Sequence, residues 1–176
     1  MGRFMNHKKW MAVIALAVTA LILTHLPVSE ADAAASASDF QTQGSTLVKY
    51  RGTEERVTIP DTVEVVGERA FENNQKVQLV VIPKAVKRLD AYVFWGCNNL
   101  EEVVLGKGLT AVDEYSFAGC TGLKQITIPE NIQSIDAQAF AGCVNLTDIY
   151  IPATVTGIAE DAFLNCDNVT IHADEG

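Results

Sequence analysis

Four cysteines, Cys97, Cys120, Cys143 and Cys166, follow one another at intervals of 23 residues. Three aspartates keep the same interval, Asp90, Asp113 and Asp136, and Glu114 lies beside the second. These are the residue types in the chain that could do chemistry: thiols as nucleophiles, metal ligands or disulfide partners, and carboxylates as acid–base pairs. Disulfides Cys97–Cys120 and Cys143–Cys166 are open by distance, because neighbouring turns of a 23-residue repeat would place Cα atoms about 5 Å apart, inside the disulfide range. Side chains in register point the same way rather than at each other, however, which favours free buried thiols. No C-x-x-C and no Cys/His pairing supports zinc. A glycosidase-like pair needs two carboxyls in a cleft with contrasting environments. An aspartate column at a chain corner is more economically a set of Asx-type turn stabilisers. Of the three histidines, only His172 lies beyond Ala33, so few arrangements exist in which a base could activate Ser or Cys. The expectation is a protein that is not an enzyme, with no cofactor and no metal.

The interval itself carries more information than the residues that first reveal it. Stacked at 23 residues, the chain gives five rows from Val57 to Ile171: VTIPDTVEVVGERAFENNQKVQL, VVIPKAVKRLDAYVFWGCNNLEE, VVLGKGLTAVDEYSFAGCTGLKQ, ITIPENIQSIDAQAFAGCVNLTD and IYIPATVTGIAEDAFLNCDNVTI. A fixed period of this length is the mark of a repeat architecture. The first and third positions are aliphatic in every row (Val57/Ile59 through Ile149/Ile151), the alternation of a short strand with one buried face. Pro60, Pro83, Pro129 and Pro152 then end the strand, because proline donates no hydrogen bond. Gly106 stands in that place in the third row, predicting a looser corner. Aliphatic columns follow at Val63, Val86, Leu109, Ile132 and Val155, and at Val66, Leu89, Val112, Ile135 and Ile158. Phe71, Phe94, Phe117, Phe140 and Phe163 form an invariant column that would stack as rings along the core. The cysteines share their column with Asn74. Either residue type can engage backbone groups inside a turn, which predicts a buried polar ladder. No row can bury its apolar side alone, so stability must come from the interfaces between rows.

These rows predict a leucine-rich solenoid of five 23-residue coils, with a short parallel β-sheet on one face and irregular turns elsewhere. Residues 45–56, with Leu47, Val48 and Tyr50, read as a strand and turn that caps the first coil. Residues 34–44, rich in Ala, Ser and Gln, read as a flexible leader. Residues 172–176 read as a C-terminal tail, leaving the last coil to cap itself or to pair its open edge with another chain. Residues 1–33 join a basic start (Arg3, Lys8, Lys9), an apolar run from Trp10 to Leu26, and small-residue stretches Ala31-Asp32-Ala33 and Ala35-Ser36-Ala37. That order is the pattern of a signal peptide, cleaved after Ala33 or Ala37, with a retained membrane anchor as the alternative. A secreted product with no membrane insertion after cleavage is the expectation.

The net charge of −9 is unevenly spread. Between Ser45 and Glu102 there are eight Lys/Arg and nine Asp/Glu; from Val103 onward there are two and ten. Phosphate binding needs clustered cations, so a nucleic-acid partner is excluded.

The row I-x-I-P-x-x-V-x-x-I-x-x-x-A-F-x-x-C-x-x-L resembles the BspA-like leucine-rich repeat of bacterial secreted and surface proteins, over Val57 to Ile171 and with Leu47–Gly52 as a lead-in. The resemblance implies an extracellular protein-binding or adhesion role, with a host or bacterial protein as partner. In a bacterial chain, the sequons at Asn145 and Asn168 are coincidence. The resemblance also implies that residues between the buried strand positions face outward. Of these, Leu79, Val81, Glu102, Val104, Gln125, Thr127 and Tyr150 form the candidate partner face, with Tyr92 and Trp95 on another part of the coil as aromatic contacts. The alternative is a structural repeat block that self-associates through the open C-terminal edge, or a remnant of a larger cell-surface protein, in either case without a distinct ligand.

Overall fold

The computed structural model describes residues 35–173. The expected signal peptide over 1–33 lies outside the described residues. No helix among those described is long and apolar enough to cross a membrane.

Thirteen short strands make up the body: β1 (Phe40–Gln43), β2 (Thr46–Tyr50), β3 (Arg56–Thr58), β4 (Val65–Val66), β5 (Leu79–Val81), β6 (Arg88–Leu89), β7 (Glu102–Val104), β8 (Ala111–Val112), β9 (Gln125–Thr127), β10 (Ser134–Ile135), β11 (Asp148–Ile151), β12 (Gly157–Ile158) and β13 (Thr170–Ala173). The odd-numbered strands from β3 onward are the V-x-I positions of the rows. They pair in parallel and in register, Val57 beside Val80 beside Val103, then Ile126 beside Ile149 beside Ile171. The fold is the expected solenoid, with three corrections.

The first concerns the far side of each coil. The aliphatic columns after the proline are not irregular: β4 and β6, then β8, β10 and β12, form a second parallel ladder. Each member is only a pair of residues, too short for any alternation to show in the sequence.

The second concerns the number of coils. Ile149 pairs with Ile171, one position short of a full row. Ile171, read as the end of the fifth row, therefore opens a sixth turn, and His172 and Ala173 belong to β13 rather than to a tail.

The third concerns residues 34–44. Ser36 caps a 3-10 turn over Ala37–Asp39, its amide donating to Asp39 Oδ2 at 2.8 Å. β1 follows and pairs antiparallel with β2 through a turn at Gly44, where φ is +61°. Composition suggested nothing to pack, but Phe40 is buried against Tyr50, with ring centroids 5.1 Å apart. β2 in turn pairs with β4, Leu47 beside Val66, which falls well short of a full row. β1 and β2 together lie over the first coil.

The phenylalanine column stacks as expected, at 4.9 Å between Phe71 and Phe94 and 5.3–5.4 Å thereafter to Phe163. Tyr50 and Phe40 extend it to seven rings, Tyr50 lying 4.9 Å from Phe71. Pairs at this separation add about 0.5–1.5 kcal/mol each to area burial. The glycine corner of the third row is the reverse of loose. A Cβ on Gly106 would meet the Ile82 and Pro83 carbonyl oxygens at 2.5 Å, and one on Gly108 the Val86 and Lys84 oxygens at 2.2 and 2.3 Å. Row three bends here into direct backbone contact with row two.

Candidate binding face

The thiols are free and buried. Each donates to the carbonyl of the preceding coil's phenylalanine: Cys97 to Phe71 at 3.1 Å, Cys120 to Phe94 at 3.2 Å, Cys143 to Phe117 at 3.1 Å and Cys166 to Phe140 at 3.0 Å. The ladder thus runs between coils. In the first row Asn74 does a different job, accepting from the Lys76 and Val77 amides of its own turn. Burial pushes the Cys97 thiol up to about 12 and raises the other three. Raised thiol pKa values suppress the thiolate that nucleophilic chemistry requires.

Asp90, Asp113 and Asp136 lie in one column at the end of the second ladder. Asp90 is held by Arg88, with Nε 2.6 Å from Oδ1. The hydrogen bonds at this corner are backbone ones, from the Ser116 amide to the Asp113 carbonyl (3.2 Å) and from Ala139 to Asp136 (3.3 Å). Burial, with Asp136 and Asp90 on either side, lifts Asp113 to about 6. Among the described residues no group of His, Cys, Asp and Glu is arranged to hold a metal ion.

The candidate face residues lie on the strands of the first parallel ladder. Leu79 stands beside Glu102, and Val81 beside Val104, on adjacent strands β5 and β7. All four are half-buried. Burial raises the Glu102 carboxyl, and the Arg56 charge two strands away opposes the rise. Gln125, Thr127 and Tyr150 continue the face on β9 and β11, which belong to a separate three-stranded sheet. Tyr150 stacks on His172 at 4.6 Å, and His172 Nε2 contacts Asp148 Oδ1 at 2.9 Å.

Tyr92 and Trp95 belong to another arm of the coil. Arg69, Tyr92, Tyr115 and Gln138 share one position of the row and all have positive φ, between 52° and 61°. This left-handed conformation is uncommon for such residues. Their side chains form a ladder: Arg69 covers Tyr92 at 4.7 Å, Tyr92 stacks on Tyr115 at 4.6 Å, and Gln138 donates to Asp161 at 3.0 Å. Tyr92 is therefore occupied by its neighbours. Trp95 is 41% exposed and free for contact. Sequence reasoning missed this ladder because Arg, Tyr, Tyr and Gln share no pattern. It also missed the asparagines that tie coil to coil, Asn99 to the Gln75 carbonyl and Asn145 to Thr121, both at 2.7 Å. A second left-handed column went unread although residue type marks it, Asn73, Gly96, Gly119, Gly142 and Asn165, since Gly and Asn tolerate that conformation best.

Comparison with known proteins agrees with the geometry. The family model "BspA type Leucine rich repeat region (6 copies)" matches residues 49–170. No curated protein matches the chain. A leucine-rich cell surface protein from Faecalibacterium prausnitzii is 34% identical over 74% of this chain, with a TM-score of 0.73; the match covers 35% of that protein's length. A leucine-rich repeat protein of T. pallidum is 25% identical over 78% of this chain and 70% of its own, with a TM-score of 0.75. One from Bacteroides ovatus is 29% identical over 74% of this chain and 36% of its own, with a TM-score of 0.65. The chain thus spans about a third of the length of two of these three relatives. With the family model matching residues 49–170, well over half of its length, the chain belongs to the BspA-type leucine-rich repeat family of bacterial proteins.

Proposed function

We propose that this chain is an extracellular recognition or adhesion module that binds a protein partner through the sheet face centred on β5 and β7. The observation that carries the reading is the cluster of Leu79, Val81 and Val104 in adjacent register, with Glu102 among them. The repeat does not require apolar residues at these outward positions, which are Thr58 and Thr127 in other rows. Aliphatic residues partly exposed and side by side are what an interface core uses, with charged residues kept to its rim. Trp95 offers a second anchor on a different arm. The likeness to a cell surface protein of F. prausnitzii and the basic–apolar–small order of residues 1–33 support an extracellular setting.

The test has two arms. The N-terminus of protein exported by the producing bacterium should begin after Ala33 or Ala37. Capture of a cross-linked extracellular protein should be lost in the double variant Val81→Asp/Val104→Asp. Equal capture by the variant, with its fold intact, would remove this face from consideration.

A further inference from the structure

Row three interrupts the stack on two of the three sides of the coil. Each coil passes through the strand side, then the second ladder, then the arm that carries the phenylalanine. On the strand side the amides of Gln78, Glu101, Thr147 and Thr170 donate to the coil before, at 2.7, 2.8, 3.0 and 2.8 Å, but the Lys124 amide makes no such bond to Glu101. Likewise Ile59, Ile82 and Ile128 donate to Val81, Val104 and Tyr150, while Leu105 does not reach Thr127. β7 and β9 accordingly belong to separate sheets. On the second ladder the gap falls one coil earlier. The Asp90, Asp136 and Ala159 amides donate to Val66, Val112 and Ile135, at 2.8, 2.9 and 2.9 Å, but that of Asp113 makes no bond to the Leu89 carbonyl. β6 and β8 are unpaired. The seam thus crosses row three obliquely: β7 stays with the strands before it and β8 with those after it. Asn131 Nδ2 donates to the Leu109 carbonyl, so Leu109 already goes with the later coils.

Two glycines found in this row alone set the seam there. Where the other rows carry proline followed two residues later by Thr, Ala or Asn, row three has Gly106 and Gly108. A Cβ on Gly106 would meet the Ile82 and Pro83 oxygens at 2.5 Å, so only glycine lets this corner sink so far toward row two, out of step with the repeat. Losing proline also frees φ at the corner. The phenylalanine arm, on the side opposite this corner, has no gap. Phe94, Phe117 and Phe140 donate to Ser116, Ala139 and Ala162, at 2.8, 2.8 and 2.9 Å, and the Cys120 and Cys143 thiols tie the same coils again. A side-chain bond spans the strand-side gap: Lys124 Nζ lies 3.0 Å from Glu101 Oε2, linking the two residues whose backbone bond is missing. Both side chains are more than half exposed, so the pair is weak and is screened by salt.

We propose that row three is a hinge: the coils on either side open at the glycine corner about the phenylalanine arm, and the Glu101–Lys124 pair latches the strand side shut. The seam divides the candidate face, with Leu79, Val81, Glu102 and Val104 on one side and Gln125, Thr127 and Tyr150 on the other. Opening changes the curvature of that face, and a partner that spans the seam selects one angle. This use of the hinge rests on the recognition reading above; the hinge itself does not.

Nitroxide labels on the full chain, with spin–spin distances read by electron paramagnetic resonance, test the hinge. Asp61→Cys/Ala153→Cys labels exposed corner positions of rows one and five, about 20 Å apart at four strand spacings. Gln75→Cys/Asp167→Cys labels the same two rows beside the phenylalanine arm. The native thiols are buried, which keeps the labels on the introduced ones. Lys124→Glu should raise the long-distance fraction of the corner pair about two-fold or more, as loss of one exposed ion pair allows. Salt at about 1 M, where charges are screened beyond about 3 Å, should do the same to the parent. The swap Glu101→Lys/Lys124→Glu should restore the parent distribution at low salt, and the arm pair should stay fixed throughout. A corner distribution that Lys124→Glu leaves unchanged overturns the proposal. Equal changes in both pairs, the mark of general loosening, overturn it too, as does a charge swap that fails to restore the closed distance. No partner enters this experiment, so its outcome is separate from that of the Val81→Asp/Val104→Asp capture test.

Discussion

Phe117→Ala and Phe163→Ala remove the same side chain from the same column, and their difference measures what stacking contributes. Phe117 is fully buried and lies between two rings, Phe94 at 5.3 Å and Phe140 at 5.4 Å. Truncating a buried Phe costs about 3–5 kcal/mol through lost transfer energy and the cavity left behind. Two ring contacts of about 0.5–1.5 kcal/mol each place this site at the upper part of that range. Phe163 keeps one ring neighbour and is only half-buried, so its removal should cost about 1–2 kcal/mol, near the loss of a partly buried side chain and a single ring contact. Urea unfolding followed by circular dichroism and by Trp95 fluorescence gives both values by linear extrapolation. Trp95 sits in row two, so Phe117→Ala should also separate the two probes if the coils behave as nearest-neighbour units. Equal losses at the two positions, within about 0.5 kcal/mol, would refute a column whose strength depends on neighbours on both sides.

Three further outcomes follow from the site geometry. At pH 8 the four thiols should resist alkylation by iodoacetamide in the native protein and react together on unfolding, since burial holds the thiolate off; mass measured without reductant should show no loss of hydrogen, and a loss of two or four would restore the disulfide reading. Asp113 has its folded pKa raised from 3.8 to about 6, so the folded state binds the extra proton between these values and stability falls as pH rises through that window. At 1.36 kcal/mol per pH unit the full effect is about 3 kcal/mol, and solvent screening of a half-exposed group reduces it to about 1 kcal/mol. Asp113→Asn should therefore raise stability at pH 7 and change it little at pH 4; a variant less stable than the parent at pH 7 would contradict this. Gly108→Ala would drive a Cβ to 2.2 Å from the Val86 oxygen and should cost about 2–4 kcal/mol in the same urea assay, as overpacking against backbone does, whereas Gly44→Ala, with open space around it but φ at +61°, should cost about 1 kcal/mol.

Where every row places the same chemistry at one position, the fold could be read from sequence: β-branched strand residues, prolines, the phenylalanine column. Repetition turns weak local preferences into a strong sum, and the structure follows them coil by coil. What could not be read lies where the period slips or where the role belongs to the backbone. β2 joins its ladder well before a full row has passed, Leu47 meeting Val66, and β13 joins one position early, Ile149 meeting Ile171. The second slip conceals a coil, while the strand and turn over 45–56 were read without the period and only β1 was missed. The ladder of Arg69, Tyr92, Tyr115 and Gln138 is set by left-handed φ values, which unlike side chains can share. Gly106 was legible as a turn residue, but its contact with the Ile82 and Pro83 carbonyls depends on how closely two coils approach. For the candidate face, sequence supplied the residues, their adjacency and the separation of Tyr92 from them; the consumption of Tyr92 by Arg69 and Tyr115 required coordinates.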